Sequence, residues 1–365
     1  MKHELSIKGF KCYNDASLEL NNMTILIGAN GAGKSSIIQS ILLLKYAELH
    51  AVDGKLKIPM HNMMGIDFGQ FESIIYNDNN ENLPTNIRRS IQIKLDDLCV
   101  DIPIEIESNS IHYVDANVTS EFSVSILRKK LHYLDAERLG PRYAVDYKGD
   151  EEESCGVHGE NTAYIWQKYL QTSIGENKRL VSESDGKFPQ QLNQWIGYLF
   201  DGVKLSVDSL HDRALQVQIA GNKQMTNLSI GFGVSYALPI LVEGLILEED
   251  DTLIVENPEA HLQPKAQARM GYFLGKMAAS GVRIIVETHS EHVIKGISTA
   301  IKSDSTLSEE AVSIVMISRY NGQHQINEID MQKDITQLQY PKDFFDVKDD
   351  DILISETNRL KKIFK

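Results

Sequence analysis

Cysteine is scarce in this sequence: Cys12, Cys99 and Cys155 are the only three in 365 residues, far apart and without a CxxC pair. That excludes a disulfide framework and a zinc ribbon, and it fits a reducing compartment. The eleven histidines form no HExxH or Cys/His spacing. Long apolar runs are missing too. SIIQSILLL (Ser36–Leu44) and YALPILVEGLIL (Tyr236–Leu247) stop short of the roughly 20 residues a membrane span needs. The opening MKHELSIKGF has no apolar stretch of the signal-peptide kind, so a cytoplasmic protein without membrane contact is expected. Positive charge is in deficit, with 37 Lys and Arg against 51 Asp and Glu and a net charge of −14. Any nucleic-acid contact must therefore use a local basic patch rather than overall attraction. The candidates are Arg88 with Arg89, Arg128 to Lys130, and Lys361 with Lys362, and runs this short are usually solvated surface.

What is present describes an ordinary globular chain, 42% hydrophobic and 24% charged, with room for two average domains or one large domain carrying an insertion. Alternation at Leu5, Ile7 and Phe10, then at Ala16, Leu18 and Leu20, predicts two strands. The apolar run MTILIG (Met23–Gly28) predicts a buried third, which leads into a glycine-rich loop and then a buried helix. From about Gly54 to Thr226 short alternating segments (Ser90–Leu95, Val100–Ile106, Ile111–Val118, Phe122–Leu127) predict an antiparallel sheet, with one helix near Ala163–Leu170. An α/β texture resumes near Leu228: helix Ser235–Leu247, strand Thr252–Val255, helix Pro264–Ala279, strand Val282–Val286 and strand Val312–Ser318. An irregular acidic tail ends the chain. The expected organisation is an α/β protein in four stretches: 1–53, a middle region 54–226, a second α/β part 227–320 and a tail 321–365.

Four stretches carry chemistry. GANGAGKS (Gly28–Ser35) matches G-x-x-x-x-G-K-[ST] at every fixed position, between a predicted strand and helix. Asn30, Gly31, Ala32 and Gly33 would offer backbone N–H groups to phosphate oxygens. Lys34 would reach the β- and γ-phosphates of ATP, Ser35 would ligate Mg²⁺, and Ser36 follows in the helix's first turn. TLIVENPE (Thr252–Glu259) is a buried strand ending in acid, which would set Glu256 beside the metal and Glu259 near the attacking water. VRIIVETHS (Val282–Ser290) is a second such strand; His289 at its end suits a γ-phosphate contact, and Glu287 would position that histidine or the water. LSIGFGVS (Leu228–Ser235) sets Ser229, Gly231 and Gly233 before a predicted Ser235 N-cap, an anion-binding helix start. Each has a plainer reading: a glycine turn, an ordinary buried strand, a structural histidine, a capped helix. Their order along one chain favours the nucleotide site.

Together with YLDAERLGPR (Tyr133–Arg142), GVHGENTAY (Gly156–Tyr164), LNQWIGYLF (Leu192–Phe200) and QYPKDFFD (Gln339–Asp346), these stretches resemble the AAA/ABC-type ATPases of prokaryotic defence and mobile-element loci. Those are relatives of the OLD-type, RecF-like and SMC-like ATPase heads, and the likeness runs over nearly the whole chain. The resemblance implies an ABC-type P-loop fold with a mixed sheet, N-terminal antiparallel strands and a middle insertion. It implies ATP and Mg²⁺ bound by Lys34, Ser35 and Glu256, with His289 sensing the γ-phosphate. It also implies a head-to-tail homodimer in which Ser229, Gly231, Gly233 and Ser235 complete the partner's site, with higher assemblies open. Three departures stand out: Asn257 replaces the usual second acid, Tyr236 a common Gln, and Gln263 a common His. An amide is no base, so either Glu259 takes that role or hydrolysis is slow. Glu137 and Arg138 read equally as a structural pair or a functional one.

No C-terminal Toprim nuclease is expected, and Asp349 to Asp351 read as solvated tail rather than nuclease ligands. Any cutting would fall to an effector partner, and defence is the setting the family likeness suggests. Two other classes fit the same motifs: a DNA-repair ATPase head, which should carry coiled-coil heptads or a basic DNA-facing surface, and a non-hydrolysing ATP-bound scaffold for a nuclease.

Overall fold

The structure is a computed structural model, and it describes residues 2–76, 90–104, 112–120, 125–141, 145–146, 153–182, 184–211, 214–219, 231–303, 306–320 and 323–329. In chain order its elements are β1 (His3–Phe10), β2 (Tyr13–Leu20), β3 (Met23–Gly28), α1 (Lys34–His50), β4 (Lys55–Pro59), β5 (Ser90–Leu95), β6 (Leu98–Pro103) and β7 (Tyr113–Ser120). Then come α2 (Ser125–Arg128), β8 (Leu131–Leu134), β9 (Val145–Asp146), α3 (Thr162–Lys168), α4 (Phe188–Leu199), β10 (Leu205–His211), β11 (Ala214–Ile219) and α5 (Phe232–Ile246). The last are β12 (Thr252–Glu256), α6 (Pro264–Ala279), β13 (Arg283–Glu287), α7 (Glu291–Ser303), β14 (Val312–Tyr320) and β15 (Gln323–Ile329).

Two six-stranded sheets organise them. The first, β2-β1-β5-β6-β7-β4, is antiparallel throughout. In the second, β15-β14-β3-β13-β12-β8, the strands β14, β3, β13, β12 and β8 run parallel and β15 closes one edge antiparallel to β14. Strands β10, β11 and β9 form a third, small sheet.

The central strands are apolar throughout because both faces of the parallel sheet are covered. Every residue of β3, β12 and β13 is buried. Leu26, Ile254, Ile285, Val315 and Ile317 point into one core, which they share with α1 and the antiparallel sheet. Ile25, Ile27, Leu253, Val255, Ile284, Val286 and Ile314 point into the other, shared with α3 to α7 and holding both tryptophans, Trp166 and Trp195. Helix α1 is thus sandwiched between sheets, and its first residue is set by the end of β3. Among the described residues no helix is long and apolar enough to cross a membrane.

Three local expectations need correction. Phe122–Leu127 reads as strand-like alternation, but Ser125–Arg128 is one helical turn. The tail begins with a strand, not irregular chain: β15 pairs along β14 from Gln323↔Tyr320 to Ile329↔Ile314. Helix α5 starts at Phe232 with Gly231 as its N-cap, so Ser235 lies inside the first turn and does not cap it.

Candidate functional site

The parallel strands β3, β12, β13 and β8 all end at one edge of their sheet, where loops can converge on a ligand. The loop after β3 leaves Ala29, Asn30 and Gly31 exposed and buries Ala32 and Lys34. Gly31 has φ +73°, and a Cβ there would meet nothing within 4 Å, so it lines open space. Gly33, the α1 N-cap at φ +111°, is held from behind: a Cβ would lie 2.7 Å from both Cys12 Sγ and Tyr13 Oη. Tyr13 Oη donates to Gly33 O at 3.2 Å, and the His324 imidazole donates from Nδ1 to Ala32 O at 2.6 Å. Ser36 sits against Cys12 Sγ at 3.7 Å. The α1 start carries no side-chain cap and no acid in its first turn, so its N–H groups and positive dipole end are left for an anion.

Lys34 is only 3% exposed. Its Nζ donates to Gly28 O at 3.0 Å and Ala29 O at 3.1 Å, and stands 3.5 Å from Glu287 Oε1. Ser35 Oγ donates to the other Glu287 oxygen at 3.2 Å. The β13 carboxylate thus engages both phosphate-loop groups.

Glu256 and Glu287 are register partners on β12 and β13. Burial raises the pKa of both. Glu256 is pushed up to about 8 by desolvation and then by Glu287, against the hydrogen bond Tyr133 Oη donates to it at 2.8 Å. Glu287 is raised by burial, with Lys34 and Ser35 pulling the other way. Two buried acids side by side make a site short of positive charge.

Glu259 has a different task. Thr288 Oγ1 donates to one of its oxygens at 2.7 Å, and the His289 backbone N–H to the other at 2.6 Å. It therefore fixes the loop after β13. His289 is half-buried, and desolvation, then the Lys34 charge, lower its pKa, which favours the neutral ring. Ser290 Oγ accepts the N–H groups of His292 and Val293 and starts α7.

Asn257, at φ +44°, extends the β12–β13 pairing by donating its N–H to Glu287 O at 2.9 Å. Its side-chain Oδ1 is buried and has no hydrogen-bond partner among the described residues. Arg138, 2% exposed, spreads across this region. Nη1 donates to Asp135 O (2.6 Å) and Glu256 O (2.7 Å), Nη2 to Asn257 O (2.7 Å) and Nε to Tyr236 O (3.1 Å). Burial lowers its pKa to about 10, with Tyr236, Glu259, Asp135 and Glu256 opposing, so it stays charged at neutral pH.

At the start of α5, Gly231 is exposed and a Cβ on it would meet none of the described residues within 4 Å, whereas one on Gly233 would lie 2.7 Å from His261 O. Close packing of this turn on the one after β12 follows: Phe232 and Tyr236 lie 5.4 and 4.6 Å from the His261 ring. Phe232 is 57% exposed. Ser229, Arg88, Arg89, Lys361, Lys362, the Asp349–Asp351 cluster and QYPKDFFD fall outside the described residues. Arg128, Lys129 and Lys130 are exposed, and Lys130 pairs with Glu153 at 3.6 Å.

The residues fit a triphosphate with Mg²⁺. A hydroxyl, two buried carboxylates and an unpaired amide oxygen form an all-oxygen donor set suited to a hard cation. Among the described residues no three His, Cys, Asp or Glu side chains cluster as a metal cage, and Mg²⁺ needs none when phosphates and water complete its shell. Sequence reasoning places Lys34, Ser35, Glu256, Glu287, Glu259 and His289 here. It misses Tyr133, Tyr13 and His324, which support the site from other elements. A cavity of about 820 Å³ beside Tyr46, His50 and Tyr113, at the other end of α1, holds none of these residues.

Comparison with known proteins bears on the family and the fold. The AAA ATPase domain family model matches residues 1–137 and 70–294. A solved SMC head bound to the C-terminal winged-helix domain of ScpA is similar at TM-score 0.54 and 11% identity, over 91% of this chain and 98% of that one. A Pyrococcus furiosus Smc head with an extended coiled coil, bound to the C-terminal domain of ScpA, is similar at TM-score 0.53 and 12% identity, over 100% and 99%. At such identities the likeness is one of fold. No curated protein matches in sequence.

Proposed function

The chain belongs to the AAA ATPase domain family, and from that premise we propose an ATPase that closes head-to-tail on a second copy around Mg-ATP and so controls an effector protein. The observation that carries this is the meeting of Lys34, Ser35, Glu256 and Glu287 at the ends of adjacent parallel strands, with Lys34 and Ser35 both held by Glu287. On binding, the phosphates replace Glu287 as partner of Lys34, and the α1 N–H groups receive them. Ser35 and Glu256 hold the metal, which when bound neutralises phosphate charge. Glu287, freed from Lys34, is a buried carboxylate of raised pKa beside the γ-phosphate position and takes the proton of the attacking water. Asn257 Oδ1, which has no partner of its own, orients that water. Neutral His289, anchored by Glu259, contacts the γ-phosphate. Gly231, Gly233 and Ser235, with Ser229 ahead of them, serve the partner's nucleotide.

An effector such as a nuclease, in antiphage defence, is the setting that family likeness favours. The two solved SMC heads are each complexes with a second protein, a precedent for this fold taking a protein partner. One observation favours a second reading, an ATP-bound scaffold that scarcely hydrolyses: Asn257 stands where an acid is usual. Light scattering and phosphate release, with and without Mg-ATP, test both. We expect wild-type mass to double and turnover to rise with protein concentration, and both to vanish in Lys34→Ala. Doubling without turnover selects the scaffold. A wild type that shows no calorimetric affinity for ATP refutes both.

A further inference from the structure

Arg138 is unusual among the buried charges because its hydrogen-bond partners among the described residues are all carbonyls, drawn from three separate segments. Asp135 belongs to its own loop after β8, Glu256 and Asn257 are the last residue of β12 and the one after it, and Tyr236 is in the first turn of α5. The Tyr236 ring adds a contact 5.5 Å from the guanidinium carbon. Two features set the start of α5 apart from the rest of the helix. Pro239, inside the helix, has no N–H to donate to Ser235 O, so one hydrogen bond between the first turn and the next is missing. Gly231 and Phe232 at its start are exposed. Behind Pro239 the helix is pinned: Glu243 pairs with His132 of β8 at 2.5 Å and accepts the Cys155 N–H. The Arg138 guanidinium links the start of α5 to the end of β12, beside the contact that Phe232 and Tyr236 make with the His261 ring.

We propose that Arg138 is a positioning residue: a strut that transmits the state of the protomer's own nucleotide site, read at the Glu256 and Asn257 carbonyls, to the first turn of α5, which serves the opposite site. This rests on the function proposed above. A planar fork with donors in three directions can hold three segments at once, whereas a lysine ammonium cannot span them. Each site of the dimer thereby sets the geometry offered to the other.

The test uses the full chain as wild type, Arg138→Lys and Tyr236→Leu, and measures ATP affinity, turnover and amide hydrogen exchange with and without Mg-ATP. Arg138→Lys should bind ATP within about threefold of wild type while turnover falls about tenfold, within the usual range of inter-site coupling. ATP should still protect residues 28–40, but protection of residues 232–246 should disappear. Tyr236→Leu, which leaves the backbone acceptors in place, should lose part of that protection. Wild-type turnover and wild-type protection of 232–246 in Arg138→Lys overturn the strut. So does joint loss of ATP affinity and of protection at 28–40, which would put Arg138 in the binding site itself. Should Arg138→Lys fail to fold, wild-type protection in Tyr236→Leu overturns it. A wild type unprotected at 28–40 refutes the nucleotide site, whereas protection at 28–40 with none at 232–246 refutes the strut alone.

Discussion

Glu256→Gln should stabilise the nucleotide-free protein, although it removes a side chain at the centre of the site. Without a cation, Glu256 is a buried carboxyl whose pKa is pushed from 4.5 to about 8, first by desolvation and then by Glu287. The sign follows from proton counting. Between those two values the folded protein holds a proton on Glu256 that the unfolded chain has released, so stability falls as pH rises through that window and levels off above it. Each pH unit costs about 1.4 kcal/mol, giving an upper bound of ~3 kcal/mol lost between pH 4.5 and pH 7 and ~5 kcal/mol by pH 9. Gln keeps the shape, still accepts the Tyr133 hydrogen bond through its amide oxygen, and has no proton to lose.

The assay is guanidinium unfolding in EDTA without nucleotide, followed by fluorescence of Trp166 and Trp195, both of which lie in the core beneath the sheet. At pH 5 the two proteins should be nearly equal. By pH 8 Glu256→Gln should lead by at least ~1 kcal/mol. Parallel stability curves across that range, or a variant weaker than wild type at pH 8, would refute the reasoning. With Mg-ATP the order should reverse, since the metal needs the charged form and the wild type should release a proton on binding below pH 8.

Three further outcomes follow. Glu259→Ala strips the acceptor from Thr288 Oγ1 and the His289 N–H, so turnover should drop by about tenfold or more with a smaller loss of ATP affinity; phosphate release set against equilibrium binding reads the difference. Asn257→Glu should raise turnover by at least about tenfold if proton transfer limits the rate, and unchanged phosphate release would place the limit elsewhere. Glu287→Gln should abolish turnover while preserving ATP-driven mass doubling, and retained turnover would remove Glu287 as the base.

The parts of the fold that sequence reveals are those where one local rule and the tertiary structure agree. Strands β3, β12 and β13 are continuous apolar runs because both faces are buried, and α6 starts and stops at Pro264 and Ala279 as its pattern predicts. Elsewhere a tertiary contact overrides the local rule. Serine favours an N-cap, yet α5 begins at Phe232 because Gly233 lets the turn pack on His261 O. Strand β15 hides because it is a polar edge strand, QHQINEI, in which only Ile326 and Ile329 are apolar. Alternation over the six residues of Phe122–Leu127 is too short to tell a strand from a turn of helix. Arg138 was visible as a residue but not as a function, because its partners are backbone carbonyls far away in sequence.

Those carbonyls and the carboxylates around them also bear on which ligand the proposed site would accept. Lys34 and Ser35 are satisfied by Glu287, Glu256 by Tyr133, and Glu259 by Thr288 and His289. On the proposed function, a single phosphate would displace Glu287 from Lys34 but bring no cation to Glu256 and Glu287. A metal alone relieves those acids but leaves Lys34 with nothing to replace Glu287. Only a polyphosphate that brings its own divalent cation answers both, with open space at Gly31 to admit it and an unpaired oxygen at Asn257 to meet its water. On the proposed function, selectivity for the complex over either component would follow from pairing the phosphate-loop cation with one of two adjacent buried acids.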